Sequence, residues 1–462
     1  MKSRSRSCQG VDLRMFGLLL FILSTLFLGV SHVIPQETDL DFSEPLTIDA
    51  CIEIAKRNAP SIKTAQFALK SAEANVLGAW ANMFPSVNAS VTGYRTTYGP
   101  QTVPKVDQTT GLVIGLEESE SEAFSSYSSR IYYGISVFNK GNWSNLSRQQ
   151  ANQRASEFDV EITEQDLIYR VKEAYYGLLA YQRLLQVHEE TVRSREENLR
   201  KIESMFEVGS ASKADVLKQK VQVQNAKASL IQARNDVEYA RANLAFTLGF
   251  HVNTPLQIVD VLDIEEPGVE LEEGLDFALG NHPSLLRAEA QLNAAKAYVG
   301  YTQAAFWPSL GAGGSYSWGP GEKLSRIKEM FDKNYNWNLG LQLSFDIPDF
   351  STIANIRYAK AERARSEEQL VETRGNISLA VKKAYLDLNA AKEIITAREE
   401  EVASAEEDLK FAEERYRVGA GTALELIDAQ VNSTSAQSNH VQALYDYKLA
   451  LAQLERAIGK EL

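Results

Sequence analysis

Glu425 and Asp428 stand three residues apart, one turn along a helix, and Asp215 occupies the place matching Glu425 210 residues earlier. Carboxylates so placed cap a helix, keep a surface soluble, or line a passage for cations. Ser212 and Thr422 each precede one of these acids by three residues, the spacing of a capping box. Gly209 and Gly419 lie just before them and are natural helix stops, free to take the left-handed conformation that ends a helix. A helix end, a turn and a new helix start are therefore written twice. Other chemistry is missing. His32, His188, His251, His282 and His440 are isolated, and no His-Glu-x-x-His pair exists. Gly311-Ala312-Gly313-Gly314 falls within an alternating strand pattern, and the chain holds neither a P-loop nor a Gly-x-Ser-x-Gly elbow. The expectation is a protein with no catalytic residues, no cofactor and no metal.

The two tips belong to a longer duplication. Asn58-Ala59-Pro60-Ser61 matches Asn281-His282-Pro283-Ser284, and Phe84-Pro85-Ser86 matches Trp307-Pro308-Ser309. Further on, Val171-Lys172-Glu173-Ala174-Tyr175 matches Val381-Lys382-Lys383-Ala384-Tyr385, and Leu248-Gly249 matches Ile458-Gly459. Landmarks repeated in one order mean one architecture copied in tandem. The reading divides the chain into a first repeat at 32–250, a linker at 251–270 and a second repeat at 271–462.

Proline is absent from Lys105 to Thr254 and from Asp349 to Leu462. Since proline breaks helices, and these stretches are rich in Ala, Glu, Leu, Lys, Gln and Arg, they predict very long helices. Ile168, Val171, Tyr175 and Leu178 recur at three-and-four spacing, as do Ile377, Val381, Tyr385 and Leu388. Such a narrow seam suits coiled-coil packing. The segment 142–206 reads as a helix of about 65 residues, roughly 100 Å long. Segments 46–83 and 212–247 are shorter and predict two helices stacked end to end beside it.

Between the helices the period changes to two. Val87, Ala89, Val91 and Gly93 alternate with Asn88, Ser90 and Thr92; Tyr335, Trp337, Leu339, Leu341, Leu343 and Phe345 alternate with Asn336, Asn338, Gly340, Gln342 and Ser344. Residues 131–137 and 310–318 do the same. This pattern predicts β-hairpins at 86–138 and 309–346, each strand with one apolar and one polar face. Strands of about ten residues match the length that crosses an outer membrane when tilted. Tyr94, Tyr127, Trp318, Tyr335 and Phe345 stand at the strand ends, as an interfacial belt requires. Four strands cannot close a barrel, and an open edge in lipid leaves backbone groups unsatisfied. Copies must combine: two would supply eight strands and three would supply twelve, with room for a pore. The segment 96–124, ending in the acidic run Glu117 to Glu122, reads as a loop outside the cell.

Composition narrows the class. With 48 basic against 61 acidic residues and a formal charge of −13, the chain has no basic stripe for nucleic acid. A mean hydropathy of −0.26 excludes a polytopic helical membrane protein. Lys2, Arg4, Arg6 and Arg14 precede an apolar run from Met15 to Val30. That order is a secretory signal peptide, assigned to 1–31. Cys51 is then the only cysteine of the mature chain and reads as a packed apolar residue.

Two copies of helix, β-hairpin, long helix, tip and helix behind an export signal resemble the TolC-like outer-membrane efflux proteins. The carrying motifs are the tips from Phe206-Glu207-Val208-Gly209 to Leu217 and from Tyr416-Arg417-Val418-Gly419 to Gln430, with the Asn-x-Pro and aromatic-Pro-Ser pairs. The resemblance implies a mainly α chain with a transmembrane β part, assembled as a homotrimer. Its twelve-stranded barrel in the outer membrane of a Gram-negative bacterium would continue as an α-helical periplasmic tunnel. It implies passive conduction, as the exit duct of a tripartite efflux or type I secretion system served by a periplasmic adaptor and an inner-membrane transporter. It implies a belt of small elements halfway along the tunnel, to which 251–270 would contribute, whereas the short stretch after Gly459 implies that a longer carboxy-terminal belt segment of some relatives is absent. Asp215, Tyr416, Glu425 and Asp428 match the family's periplasmic gate, where threefold symmetry would turn each carboxylate into a ring. Val208, Gly209, Ser212, Val418, Gly419 and Thr422 match the tips that meet the adaptor. Gly421 stands where the family often has a basic residue, which removes a salt-bridge latch at that place. Capping alone remains a sufficient role for Asp215 and Glu425. The other reading is a periplasmic coiled-coil adaptor or envelope tether, which needs the helices but not the strands.

Overall fold

The computed structural model describes residues 45–260, 268, 270–321 and 335–461. The expected signal peptide at 1–31 and part of the 251–270 linker lie outside them. Eight helices of three or more turns are described: α1 Ile48–Asn58, α2 Pro60–Ala81, α3 Lys140–Glu207, α4 Lys213–Thr247, α5 Leu271–Asn281, α6 Pro283–Gln303, α7 Phe350–Arg417 and α8 Ala423–Ile458. The proline-free stretches form α3 and α7, each of 68 residues, about 100 Å end to end. Asn139 and Asp349 cap their starts with side-chain oxygens.

The expected single helix over 46–83 is two helices. Pro60 cannot donate its backbone N–H and forces Ala59 out of the helical region, to φ −59° and ψ 128°, so α1 stops and α2 restarts with proline in its first turn. His282 repeats this before Pro283, and its Nδ1 accepts the Ser284 N–H at 3.1 Å. Each break receives the end of a tip helix. Gly249, at φ +84°, turns the chain after α4, and a β-carbon there would lie 2.9 Å from the Asn58 carbonyl oxygen. Gly459, at φ +83°, turns the chain after α8, and its β-carbon would meet His282 and Pro283 at 3.4 and 3.5 Å. The short helices are thus spliced end to end alongside the long ones. Gly249→Ala combines left-handed strain with a backbone clash and is expected to cost about 3 kcal/mol or more; Gly459→Ala carries the strain alone, about 1–2 kcal/mol. Thermal denaturation of the two variants in detergent should separate them clearly.

Large side chains are buried near the splices, Leu244 and Leu248 at the first and Leu285 and Leu454 at the second. Val171, Ala174 and Leu178 of α3 are buried, as are their repeat counterparts Val381, Ala384 and Leu388 of α7. Ala278, Leu285, Tyr447, Leu454 and Ile458 are among the residues that cluster with the latter three. Lys172 of α3 and Glu455 of α8 form an ion pair here, with side chains only 14% and 10% exposed. The described part of the linker crosses the middle of α3. Leu46 and Gln257 to Val259 exchange backbone hydrogen bonds of 2.8 and 3.1 Å. The Tyr175 hydroxyl donates to the Val259 carbonyl at 2.8 Å, and Arg183 pairs with Asp260 at 2.8 Å. Burial pushes the Tyr175 phenol up to about 12, which keeps that proton in place. Cys51 is buried nearby, its thiol likewise pushed up to about 12 by desolvation, the state of an inert packed side chain.

Strands β1 Ser86–Tyr98, β4 Glu122–Phe138, β5 Ser309–Gly321 and β6 Tyr335–Ser344 form one antiparallel sheet in the order β1-β4-β5-β6. The segment expected to be a loop at 96–124 is largely strand: β1 reaches Tyr98, and β2 Gln101–Val106 pairs with β3 Val113–Ser119 as a separate ribbon. Asp107 builds its turn by accepting the Thr109 N–H at 2.8 Å, and Gly111 takes φ +68°. With both faces in solvent, this ribbon has no reason to alternate, so the pattern that marks the other strands is weak here.

Candidate functional site

The first tip forms at the end of α3. Gly209 adopts φ +82° and the Ser210 N–H returns to the Met205 carbonyl at 2.8 Å, closing the helix. Ser212 then opens α4 with a complete capping box: its Oγ accepts the Asp215 N–H at 3.1 Å, and the Asp215 carboxylate accepts the Ser212 N–H at 3.2 Å. The second tip starts identically, with Gly419 at φ +75° and the Ala420 N–H on the Arg415 carbonyl at 2.8 Å. It then departs from the box expected of it. Thr422 Oγ1 accepts the Glu425 N–H at 3.2 Å, but the Glu425 carboxylate turns away to Arg415, 3.3 Å from its guanidinium. Only half of the box forms because a cation competes for the acid.

Arg415 was not among the site residues expected from the sequence. Its signal is conformational: the left-handed turn at Gly419 brings the chain back so that a β-carbon on Gly421 would lie 3.1 Å from that of Arg415. A positive charge therefore reaches this tip although position 421 is glycine. Tyr416 lies half-buried, its phenol raised first by burial and then by the negative charge of Asp215, so residues of the two tips share one neighbourhood. Asp428 is exposed one turn beyond Glu425, without an ion pair among the described residues. Val208 and Val418 project from the two turns, 77% and 68% exposed.

At the opposite end of the helices, the sheet sorts side chains by register. Val91 stands opposite Ser129, Ile131 opposite Ala89 and Tyr316, and Tyr316 opposite Trp337, so one face carries the apolar residues of all four strands. Asn88 opposite Tyr132, Ser315 opposite Tyr132 and Asn338 opposite Ser315 mark the other face as polar. Nothing among the described residues covers the apolar face: the outward residues of β6 are between 54% (Tyr335) and 78% (Leu341) exposed. Tyr316 stacks on Tyr335 at 5.8 Å and lies against Trp318 at 4.5 Å, an aromatic cluster at one end of that face. The outer edges of β1 and β6 have no strand beside them in this sheet. Among the described residues no helix is apolar and long enough to cross a membrane, and no His, Cys, Asp or Glu cluster could hold a metal ion.

Comparisons with known proteins agree in kind. The family model described as "Outer membrane efflux protein" matches residues 51–250 and 274–460. The pyoverdine export outer membrane protein OpmQ of Pseudomonas aeruginosa is 27% identical over 427 residues, covering 89% of this chain and 83% of its own. The probable efflux pump outer membrane protein TtgC of Pseudomonas putida is 28% identical over 396 residues, covering 83% and 75%. Among solved structures, the Campylobacter jejuni CmeC outer membrane channel superposes with a TM-score of 0.75 at 16% identity, covering 89% of this chain and 85% of that one.

Proposed function

The chain belongs to the outer membrane efflux protein family, a family of outer-membrane channels, and from that premise we propose that three copies close a twelve-stranded barrel continued by a helical tunnel. The observation that carries this reading is the bare apolar face of the sheet together with its two open edges. An exposed apolar surface of this extent marks a buried interface or a lipid contact, and strand edges in lipid must be paired. Edge β6 of one copy against edge β1 of the next satisfies both demands. A coiled-coil tether would leave this face in water, and nothing favours it.

In this assembly the helices run from the membrane into the periplasm, and the two tips form the distal opening. Asp215, Tyr416, Glu425 and Asp428 then form a gate, with the carboxylates repeated by symmetry as rings that favour cations. Arg415 partly neutralises Glu425, leaving Asp428 as the stronger ring. The turns at Val208, Gly209, Ser212, Val418, Gly419 and Thr422 offer small and apolar contacts to a periplasmic adaptor, through which an inner-membrane transporter supplies the cargo. The protein conducts passively and carries no catalytic step. OpmQ is named for pyoverdine export and TtgC for an efflux pump; the present chain serves a comparable exit duct.

Planar-bilayer recording on detergent-purified protein tests this reading. Wild type is expected to elute as a trimer and to form cation-preferring channels. Glu425→Ala with Asp428→Ala should lower the potassium-to-chloride permeability ratio by about twofold or more. A monomer soluble without detergent would overturn the barrel, and an unchanged ratio in the double variant would remove these acids from the gate.

A further inference from the structure

The polar face of the sheet carries hydroxyls, amides and glycines, with one exception. Arg130, in β4, stands in register with Ser90 of β1 and Ser317 of β5, and Ser317 pairs in turn with Asn336 of β6. Over the span where all four strands run side by side, it is the only charged residue on that face among the described residues. It is exposed, and no hydrogen bond or ion pair engages its guanidinium among the described residues. Opposite charges directly across a strand pair stabilise a sheet; this arginine has no such partner, because its two cross-strand neighbours, Ser90 and Ser317, are neutral hydrogen-bond donors.

We propose that Arg130 is a transit site for anionic groups, carboxylate or phosphate, on the molecules that pass through the barrel. The inference rests on the closed-barrel reading above, in which the polar face is the lumen. Threefold symmetry then gathers three guanidinium groups at one level, close to the aromatic cluster of Tyr316, Trp318 and Tyr335 on the opposite face. A guanidinium presents a planar fork of donors that fits a carboxylate or phosphate in bidentate fashion. Ser90, Ser317 and Asn336 add neutral donors around it without competing charge. The duct thus holds an acidic ring at the helix tips and a basic ring in the membrane segment, so cargo meets the two signs in sequence. Binding at the second ring must remain weak enough for release, since conduction requires both entry and exit.

The experiment compares wild type, Arg130→Gln and Arg130→Lys as purified trimers in planar bilayers, with inorganic pyrophosphate added on the barrel side. Pyrophosphate is expected to block the wild type, and Arg130→Gln to raise the half-blocking concentration about tenfold, as loss of a charge-assisted fork predicts. Arg130→Gln should also raise the potassium-to-chloride permeability ratio by about twofold, while Arg130→Lys keeps the wild-type ratio and is blocked less tightly. Equal block and equal permeability ratio in wild type and Arg130→Gln, with the wild type conducting normally, would overturn the site alone. A wild type that forms no channel would instead overturn the closed barrel, and Arg130 would lose its lumen with it.

Discussion

Leu341→Arg is expected to abolish insertion into the outer membrane, while Gln342→Arg, one residue along the same strand, is expected to insert nearly as well as wild type. The two positions differ only in which face of β6 they occupy. Leu341 is on the apolar face and 78% exposed in the single chain, whereas Gln342 is on the polar face, opposite Gly311. An arginine on the lipid face of a barrel costs about 2–4 kcal/mol near the bilayer midplane. Three copies in a trimer raise that to roughly 6–12 kcal/mol, comparable with the whole stability of a domain. Arginine on the polar face stays in water and leaves the wall intact. Membrane fractionation followed by heat-modifiable mobility on gels reads the outcome. Equal insertion of both variants would mean that the sheet does not face lipid.

The second large effect lies far from the membrane. Glu455→Ala is expected to destabilise the protein by about 3 kcal/mol, because it leaves the Lys172 ammonium, only 14% exposed, without this partner. This pair ties the middle of the first long helix to the final helix of the second repeat, so its loss loosens the joint between the repeats. Lys172→Met combined with Glu455→Leu should recover most of the loss, since two apolar side chains of similar volume replace two charges that both required desolvation. Thermal unfolding followed by circular dichroism in detergent distinguishes the cases. If the double variant is as unstable as Glu455→Ala, the charges themselves are required and not merely their pairing.

Much of this architecture is legible in the sequence because it is local. Proline-free stretches and helix-forming residues mark 142–206 as helix, and the observed α3, Lys140–Glu207, differs by two residues at one end and one at the other. The tips are equally legible, since glycine at 209 and 419 announces the left-handed turn that both adopt. Features decided by distant partners are harder to see. Pro60 is plain in the sequence and breaks the helix by local sterics; what the sequence hides is that Gly249, nearly 190 residues away, packs its backbone against Asn58 at that break. The Arg415–Glu425 pair depends on how tightly the turn folds back, so the spacing that predicts a full capping box delivers half of one. The ribbon at 101–119 escapes notice because neither of its faces is buried.

The splices at Asn58–Gly249 and His282–Gly459 divide each repeat into an upper and a lower section, and the two lower sections together hold four strands of rope: the distal halves of α3 and α7, together with α4 and α8. Reach is therefore adjustable without redesign. Inserting one heptad in each of those four helices at the same height would push the tips about 10 Å further out, leaving the anchor, the girdle at mid-length and both turns unchanged. Adding it to fewer than all four would shear the seam between them. Chains of this plan can thus span envelopes of different depth by growing in one place, provided the four additions come together.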